Sequence, residues 1–474
     1  MVSKLEVDTV VNQSGDQDSG LDLSTNDAVK TNIAGSEKLK TDANSHLTTT
    51  TAGTSNFVLG VNAGNSIASG GNYNVALGDE AGTALTTGDN NVAVGFEALA
   101  TEDANGHNVA VGYRALKTLN AGADAQNTAV GYNAGLSITT GVENTLVGAT
   151  AGDAITDADF NVGIGWGALG ANVLGSKSVA VGTAALDAQN PASATDMHNT
   201  AVGHGAGGAV TTGYANTLMG SSAGDALTTG FNNVAIGKDA LGAEDTGRKN
   251  VAIGFSALKV ANNDADNLNV CVGFEAGVAV STGSENTFIG ASAGDTATSA
   301  NRCTIIGYNA DVSASGAFDQ NVLGNGVTAD GNSTFTFGEG STDSSISAGG
   351  NSISAGSDQR HKEEITSSTA GLGFINDLRP VTFKWKMEKD VPEDHRSYVK
   401  DSTKRVMNAK DELYHGFIAQ EVKAVIDNHA EIKNHDELWK EGNDGRQRLG
   451  PVALIPMLTK ALQELSAKVD ALET

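Results

Sequence analysis

Asn91-Val92-Ala93-Val94-Gly95-Phe96-Glu97-Ala98 is echoed, seventeen residues on, by Asn108-Val109-Ala110-Val111-Gly112-Tyr113-Arg114-Ala115. Each copy alternates for four residues and stops at glycine, the pattern of a short strand ending in a bend. The stretch between copies, such as Thr86-Thr87-Gly88-Asp89-Asn90, carries turn chemistry. In general form, Asn-(Val/Thr)-x-(Val/Ile/Leu)-Gly-x-x-Ala recurs down the chain, with sixteen motif glycines from Gly60 to Gly324 and most spacings at 17 residues. A unit this short cannot bury a core alone. Stacked copies can, because each coil covers its neighbour and pairs its backbone groups. The recurrent Asn suits a polar ladder at a corner, and the Gly suits a positive φ or a close backbone approach. The fold predicted is mainly β, with a β-solenoid over residues 56–326.

A longer order lies on top. The pair starting three residues after each glycine runs Ala-Gly, Ala-Gly, Ala-Leu, Ala-Leu and then repeats, beginning with Ala63-Gly64, Ala81-Gly82, Ala98-Leu99 and Ala115-Leu116. Extra residues enter once in four units, at 120–126, 189–198 and 262–268. Such loops vary without disturbing a stack, which makes them the candidate contacts with a receptor. The insertion at 189–198 ranks first, being the longest and holding Pro191, Met197 and His198.

Composition agrees with thin stacked layers. Only 39% of residues are hydrophobic and 5% aromatic, with 59 Gly and 5 Pro in 474 residues. Collagen needs a strict Gly-X-Y period with abundant Pro, and disorder lacks recurrent apolar positions. Residues 1–357 carry 12 Lys+Arg against 35 Asp+Glu, a net of −23, whereas residues 358–474 carry 18 against 21. So acidic a body argues against nucleic acid or an anionic membrane as partner and favours solubility of a crowded particle. Cys271 and Cys303 cannot build a disulfide framework and read as small buried residues. No cofactor and no metal site is expected. Met1-Val2-Ser3-Lys4 leads into no apolar run, so neither a secretory signal nor a transmembrane helix is expected.

The flanks differ from the repeat. Residues 1–55 are polar with short apolar alternations, and Leu5, Val7 and Val10 fit one strand; the other reading is a frayed terminus. Residues 327–357 are rich in Ser, Gly, Thr and Asp and read as a thin neck or tip. Composition changes abruptly after Ser357, beyond which lie four of the five prolines and two of the three tryptophans. The junction reads Ser357-Asp358-Gln359-Arg360-His361-Lys362. A lysine desolvated by a core loses its proton readily and can act as general base, activating a serine hydroxyl as nucleophile. By spacing alone, a solvated charged turn explains the same residues.

Farther on, Ile455, Leu458, Leu462, Leu465, Val469 and Leu472 are spaced 3, 4, 3, 4 and 3, an a/d heptad seam. A helix packed on its own domain is the alternative. Pro451 and Pro456 suit the helix's first turn. Trp385, Trp439 and Phe417 read as core residues.

Two resemblances follow. The Asn-Val-Ala-Val-Gly-x-x-Ala units resemble the head repeats of trimeric autotransporter adhesins, which stack as parallel β-rolls in a trimer. The ordered motifs Ser357-Asp-x-Arg-x-Lys362, Leu378-Arg-Pro-Val-Thr-Phe-Lys-Trp385 and His415-Gly-Phe-Ile-Ala-Gln-Glu-Val422, with the Leu-rich terminal helix, resemble the endosialidase-type intramolecular chaperone of phage tail spikes and fibres. That resemblance implies a trimeric α+β chaperone domain over 358–474, ending in a coiled coil. It implies self-release by a single-turnover serine/lysine autoprotease, with Ser357 as nucleophile, Lys362 as base, and Asp358 and Arg360 completing the motif. The family usually has Leu where His361 stands. The resemblance places the cut between Ser357 and Asp358, whereas a serine attacks the preceding carbonyl, that of Gly356, more easily.

The expectation is a homotrimeric phage tail fibre in the virion. Residues 1–55 would attach it to the tail or baseplate, and its surface would bind a host receptor, a glycan or outer-membrane component. The alternatives are a glycan-degrading tail spike and a cellular trimeric adhesin. Between Gly60 and Gly237 the only Arg and Lys residues are Arg114, Lys117 and Lys177, with Lys238 just beyond, which argues against a cationic clamp for an acidic sugar.

Overall fold

The computed structural model describes residues 20–22, 30–33, 36–41, 47–49, 51–350, 353–355, 359, 362–393, 395, 397–432, 438–441 and 447–473. The chain divides into two compact units, Met1–Gly356 and Ser357–Thr474. In the first, an antiparallel meander of four strands, Gly20–Asp22, Lys30–Ile33, Ser36–Thr41 and Leu47–Thr49, precedes the solenoid. Leu5, Val7 and Val10 lie outside the described residues.

Every motif forms a strand. Phe57–Leu59 pairs in parallel with Val75–Leu77, that strand with Val92–Val94, and so on in sequence order to Asn321–Asn325. The residues read as a neck are partly solenoid: Thr334–Glu339 joins the parallel ladder beside Asn321–Asn325 as its seventeenth strand. Thr342–Ser347 and Ser354–Ala355 then turn antiparallel and end it. At about 4.8 Å per strand the ladder is roughly 77 Å long.

The motif Asn stitches coil to coil. The amide N–H of Asn91 donates to Oδ1 of Asn74 at 2.9 Å, that of Asn108 to Asn91 at 3.0 Å, and that of Asn233 to Asn216 at 3.0 Å. The other end of the side chain closes its own coil: Nδ2 of Asn216 donates to the Gly230 carbonyl and Nδ2 of Asn233 to the Gly247 carbonyl, each at 2.9 Å. All these asparagines are buried, so each amide satisfies backbone groups that water cannot reach. Ser178 interrupts the ladder, and Gln189 repairs it by accepting from Ser178 Oγ at 3.1 Å and from Asn199 Nδ2 at 2.9 Å.

The motif Gly is there for space. Gly148 has φ +139°, and a Cβ on it would lie 2.4 Å from the carbonyl oxygen of Gly165 in the next coil. The Ala-Gly and Ala-Leu pairs exchange volume. In Ala-Leu coils Leu99 and Leu116 fill the interior from the pair itself. In Ala-Gly coils the filling comes three residues later: a Cβ on Gly82 would meet Leu85 Cδ1 at 2.7 Å, and one on Gly152 would meet Ile155 Cδ1 at 2.8 Å. The pair's second position is a left-handed corner, which Leu99 also adopts at φ +49°. Such a conformation costs about 1 kcal/mol for a non-glycine residue, and burial of a leucine, about 2 kcal/mol, offsets it. Cys271 takes the inward Ala position of its strand and Cys303 the Asn position, both buried and unbridged.

The insertions are tied down by inward polar residues. Glu102 and Glu244, both fully buried, follow the leucine of their Ala-Leu pairs by three residues. Glu102 Oε2 accepts the Ala121 amide of the first insertion at 3.4 Å, and Glu244 Oε2 accepts Asn267 Nδ2 of the third at 2.9 Å. Burial pushes the Glu244 carboxyl up. In the longest insertion Thr195–Asp196 pairs with Gly175–Ser176, and Pro191 and Met197 are buried. That corrects their reading as contact residues: they anchor the loop, which leaves Ala192 to Asp196 and His198 exposed.

Gly148→Ala is expected to lower the local opening free energy of the coils around 145–164 by roughly 2–6 kcal/mol, combining backbone strain with overpacking. Hydrogen exchange at those amides measures it. Gly122→Ala, at φ +72° with nothing within 4 Å of the added Cβ, is expected to cost about 1 kcal/mol.

Candidate functional site

The junction comes first. The division between the compact units falls between Gly356 and Ser357. Ser357, Asp358, Arg360 and His361 lie outside the described residues. Lys362 is exposed, and its amide N–H donates to the Gln359 carbonyl at 3.1 Å.

Beyond the junction, the two later motifs build one body. Val381–Phe383, from the first, pairs antiparallel with Tyr414–Gly416, from the second. Arg379 forks onto Glu421, its Nε donating to Oε2 at 2.9 Å and its Nη2 to Oε1. The guanidinium holds the Glu421 carboxyl below its ordinary range. The sequence reading missed this pair, although both residues sit inside the quoted motifs. The helices α1 (Leu372–Asp377), α2 (Ala419–Asn428) and α3 (Leu454–Glu473) complete the unit. Its core gathers Phe374 and Leu378, Val422 and Ile426 of α2, and Leu454 of α3. The α+β expectation for this unit holds.

The helix α3 has two apolar stripes. Leu454, Met457 and Ala461 face the body, and Oε2 of Glu464 accepts the Leu372 amide at 2.9 Å, capping α1. The heptad seam is on another face. Ile455, Leu458, Leu462, Leu465, Val469 and Leu472 are all exposed, from 43% at Leu458 to 87% at Leu472. The residues that pack on the body are therefore not those of the seam.

A broad groove of about 1480 Å³ opens on the same unit, with Phe383, Trp385, Met407, Phe417 and Ile418 among its lining residues. Phe417 and Trp439 are partly buried against the core, as expected of core aromatics. Trp385 departs from that reading: it stands 37% exposed, edge-on to Phe383. Burial cannot be read from a tryptophan's identity when its neighbours leave one face open.

Residues 357–431 match the family model described as chaperone of endosialidase. The match contains the junction and both later motifs and ends before α3, short of the 358–474 that the resemblance implied. No curated protein and no solved structure matches the chain. A mainly β solenoid followed by this segment fits a tail-fibre or tail-spike type of protein with a C-terminal intramolecular chaperone.

His429 supplies a titration handle on the unit. Its Nε2 meets Asp377 Oδ2 at 2.9 Å and its Nδ1 meets Glu431 Oε1 at 2.8 Å. The Glu431 and Asp377 carboxylates hold its pKa above the ordinary histidine value. A raised folded-state pKa contributes stability fully present below about pH 6.5 and lost as pH rises through the folded value. Tryptophan-monitored melting of the Ser357→Ala chain is expected to show this unit losing stability as pH rises above about 6.5. His429→Gln should flatten that dependence.

Proposed function

We propose that the chain is a homotrimeric phage tail fibre whose solenoid forms the shaft and whose C-terminal unit brings three copies together before being cut away. The observation that carries this reading is a coincidence of boundaries: the chaperone-of-endosialidase match begins at Ser357, where the two compact units divide. A folding aid released after use must be a separable body, and a cut at such a boundary leaves the solenoid's ladder whole. The exposed heptad seam of α3 supports assembly of copies, since six apolar side chains in water favour a partner helix.

In this reading Ser357 Oγ attacks a carbonyl at the junction while Lys362, once desolvated in the assembled trimer, takes its proton; the C–N bond of that carbonyl breaks, the departing amine receives the proton from Lys362, and water hydrolyses the ester that remains. Asp358 and Arg360 complete the motif. Residues 1–55 join the fibre to the tail or baseplate, and the fibre binds a host-surface glycan or outer-membrane component through its exposed loops. No repeated turnover is required of it.

Recombinant chains are expected to yield two fragments, 1–357 and 358–474 or within a residue of these, by intact mass. Ser357→Ala and Lys362→Ala should each leave the chain whole. An uncut wild type would overturn active cleavage, and His361→Leu would then test whether that departure is the reason. Assembly has its own test. A chain lacking 358–474 is expected to give monomeric or insoluble solenoid by light scattering, whereas soluble trimers would contradict the role given to the C-terminal unit.

A further inference from the structure

From the outward face of the ladder we infer where copies of the shaft touch. This inference rests on the homotrimer proposed above, and specifies its interface. Along each motif strand the Asn and the third residue point inward, and the second and fourth point out. Register aligns the fourth residues in one row: Leu77 beside Val94, Val147 beside Ile164, Met219 beside Ile236, Ile289 beside Ile306. All sixteen motif strands put Val, Ile, Leu or Met in this row, and the seventeenth puts Phe337 there. The second residues are Val and Thr, with Phe57 and Asn321 at the ends. Neither row holds a charged residue, although residues 56–326 carry 24 Asp+Glu and 8 Lys+Arg.

Nothing inside the coil explains that purity. The inward row, in which Ala is the commonest residue, builds the core, and the outward row lies at the surface of the single chain: Val147 is 37% exposed, Ile164 38% and Met219 43%. A solvated sheet face ordinarily carries polar residues. One residue past seven of the sixteen motif glycines an exposed aromatic side chain broadens the stripe, with Phe96, Tyr113 and Tyr132 stacked at 5.5 and 5.2 Å between ring centroids, although Asp79 and Lys238 hold the same position in other coils.

Size and period identify the occupant. Strands of three residues at about 3.3 Å each, stacked over roughly 77 Å, present about 770 Å². A stable interface buries about 800 Å² per partner. The partner must offer a matching apolar row every ~4.8 Å along that length. A second copy of this chain, lying parallel, does so, and in that arrangement the acidic corners stay in water. The face is therefore the surface through which the solenoids of the assembly pack side by side.

The test compares three chains by light scattering on a sizing column, each as its 1–357 fragment after cleavage, because α3 can hold uncut chains together whatever the solenoid does. Wild type is expected at three fragment masses. Val147→Lys/Ile164→Lys/Met219→Lys should fall threefold to a single-fragment mass with its β circular dichroism retained, since these side chains already reach solvent within one chain. Thr140→Lys/Thr212→Lys/Thr229→Lys, at exposed positions on another side of the coil, should remain three-fold. Should the face variant fail to fold, Val147→Cys and Thr212→Cys under mild oxidation replace it. A cross-linked pair is expected for Val147→Cys alone, the native Cys271 and Cys303 being buried. A face variant that keeps the wild-type mass, or a Val147→Cys chain that gives no cross-link, overturns the interface while leaving the trimer standing. A wild type that runs as a single chain overturns both.

Discussion

Each coil of the solenoid depends on one side-chain amide. A turn of seventeen residues encloses two or three small apolar groups, too little burial to hold its own corner closed. The motif asparagine closes it, donating to a carbonyl fourteen residues ahead while its oxygen receives the amide of the next asparagine. A shorter or apolar side chain at that point leaves buried backbone groups unpaired, at about 1–3 kcal/mol each. The cost is cooperative because every amide serves two coils. Where the ladder loses an asparagine, at Ser178, a glutamine from a neighbouring corner supplies the missing acceptor.

Thin layers also explain the four-coil order. The interior is small, so its filling is shared between the pair after the motif and the position three residues farther on, and a leucine enters from both only at Leu116 and Leu119. Glycine at the pair clears the way for Leu85 and Ile155, and leucine at the pair leaves the later position for Glu102 or Glu244. Those carboxylates then take up polar groups from the lengthened loops. One volume constraint thus sets the core, the left-handed leucines and the places where the surface swells.

The C-terminal unit is built differently. Its charge is nearly balanced, with 18 basic against 21 acidic residues in 358–474, and its helices leave apolar surface open along α3 and the groove. A folding aid gains from such surface, because a body that satisfied all its own contacts would have nothing to offer another chain. On the proposed reading the solenoid must end as the opposite, a closed and kinetically durable shaft, and two bodies with such opposed requirements are best joined by a segment that can be cut.

The sequence by itself determined the coil, because a periodic motif states its partners: Asn must meet Asn and Gly must meet Gly once identical units stack. It also located the junction, through motifs whose order carries information that no single residue does. The solenoid's extension to Thr334–Glu339 was hidden, since that strand has the alternation but not the asparagine. Pro191 and Met197 looked like contact residues and are buried, while Trp385 looked like core and is open. The Arg379–Glu421 pair and the Glu464 cap join residues 42 and 92 positions apart. Local pattern sets which way a side chain points from its own strand or helix. What it then meets depends on segments far off in sequence, and only the tertiary structure brings those together.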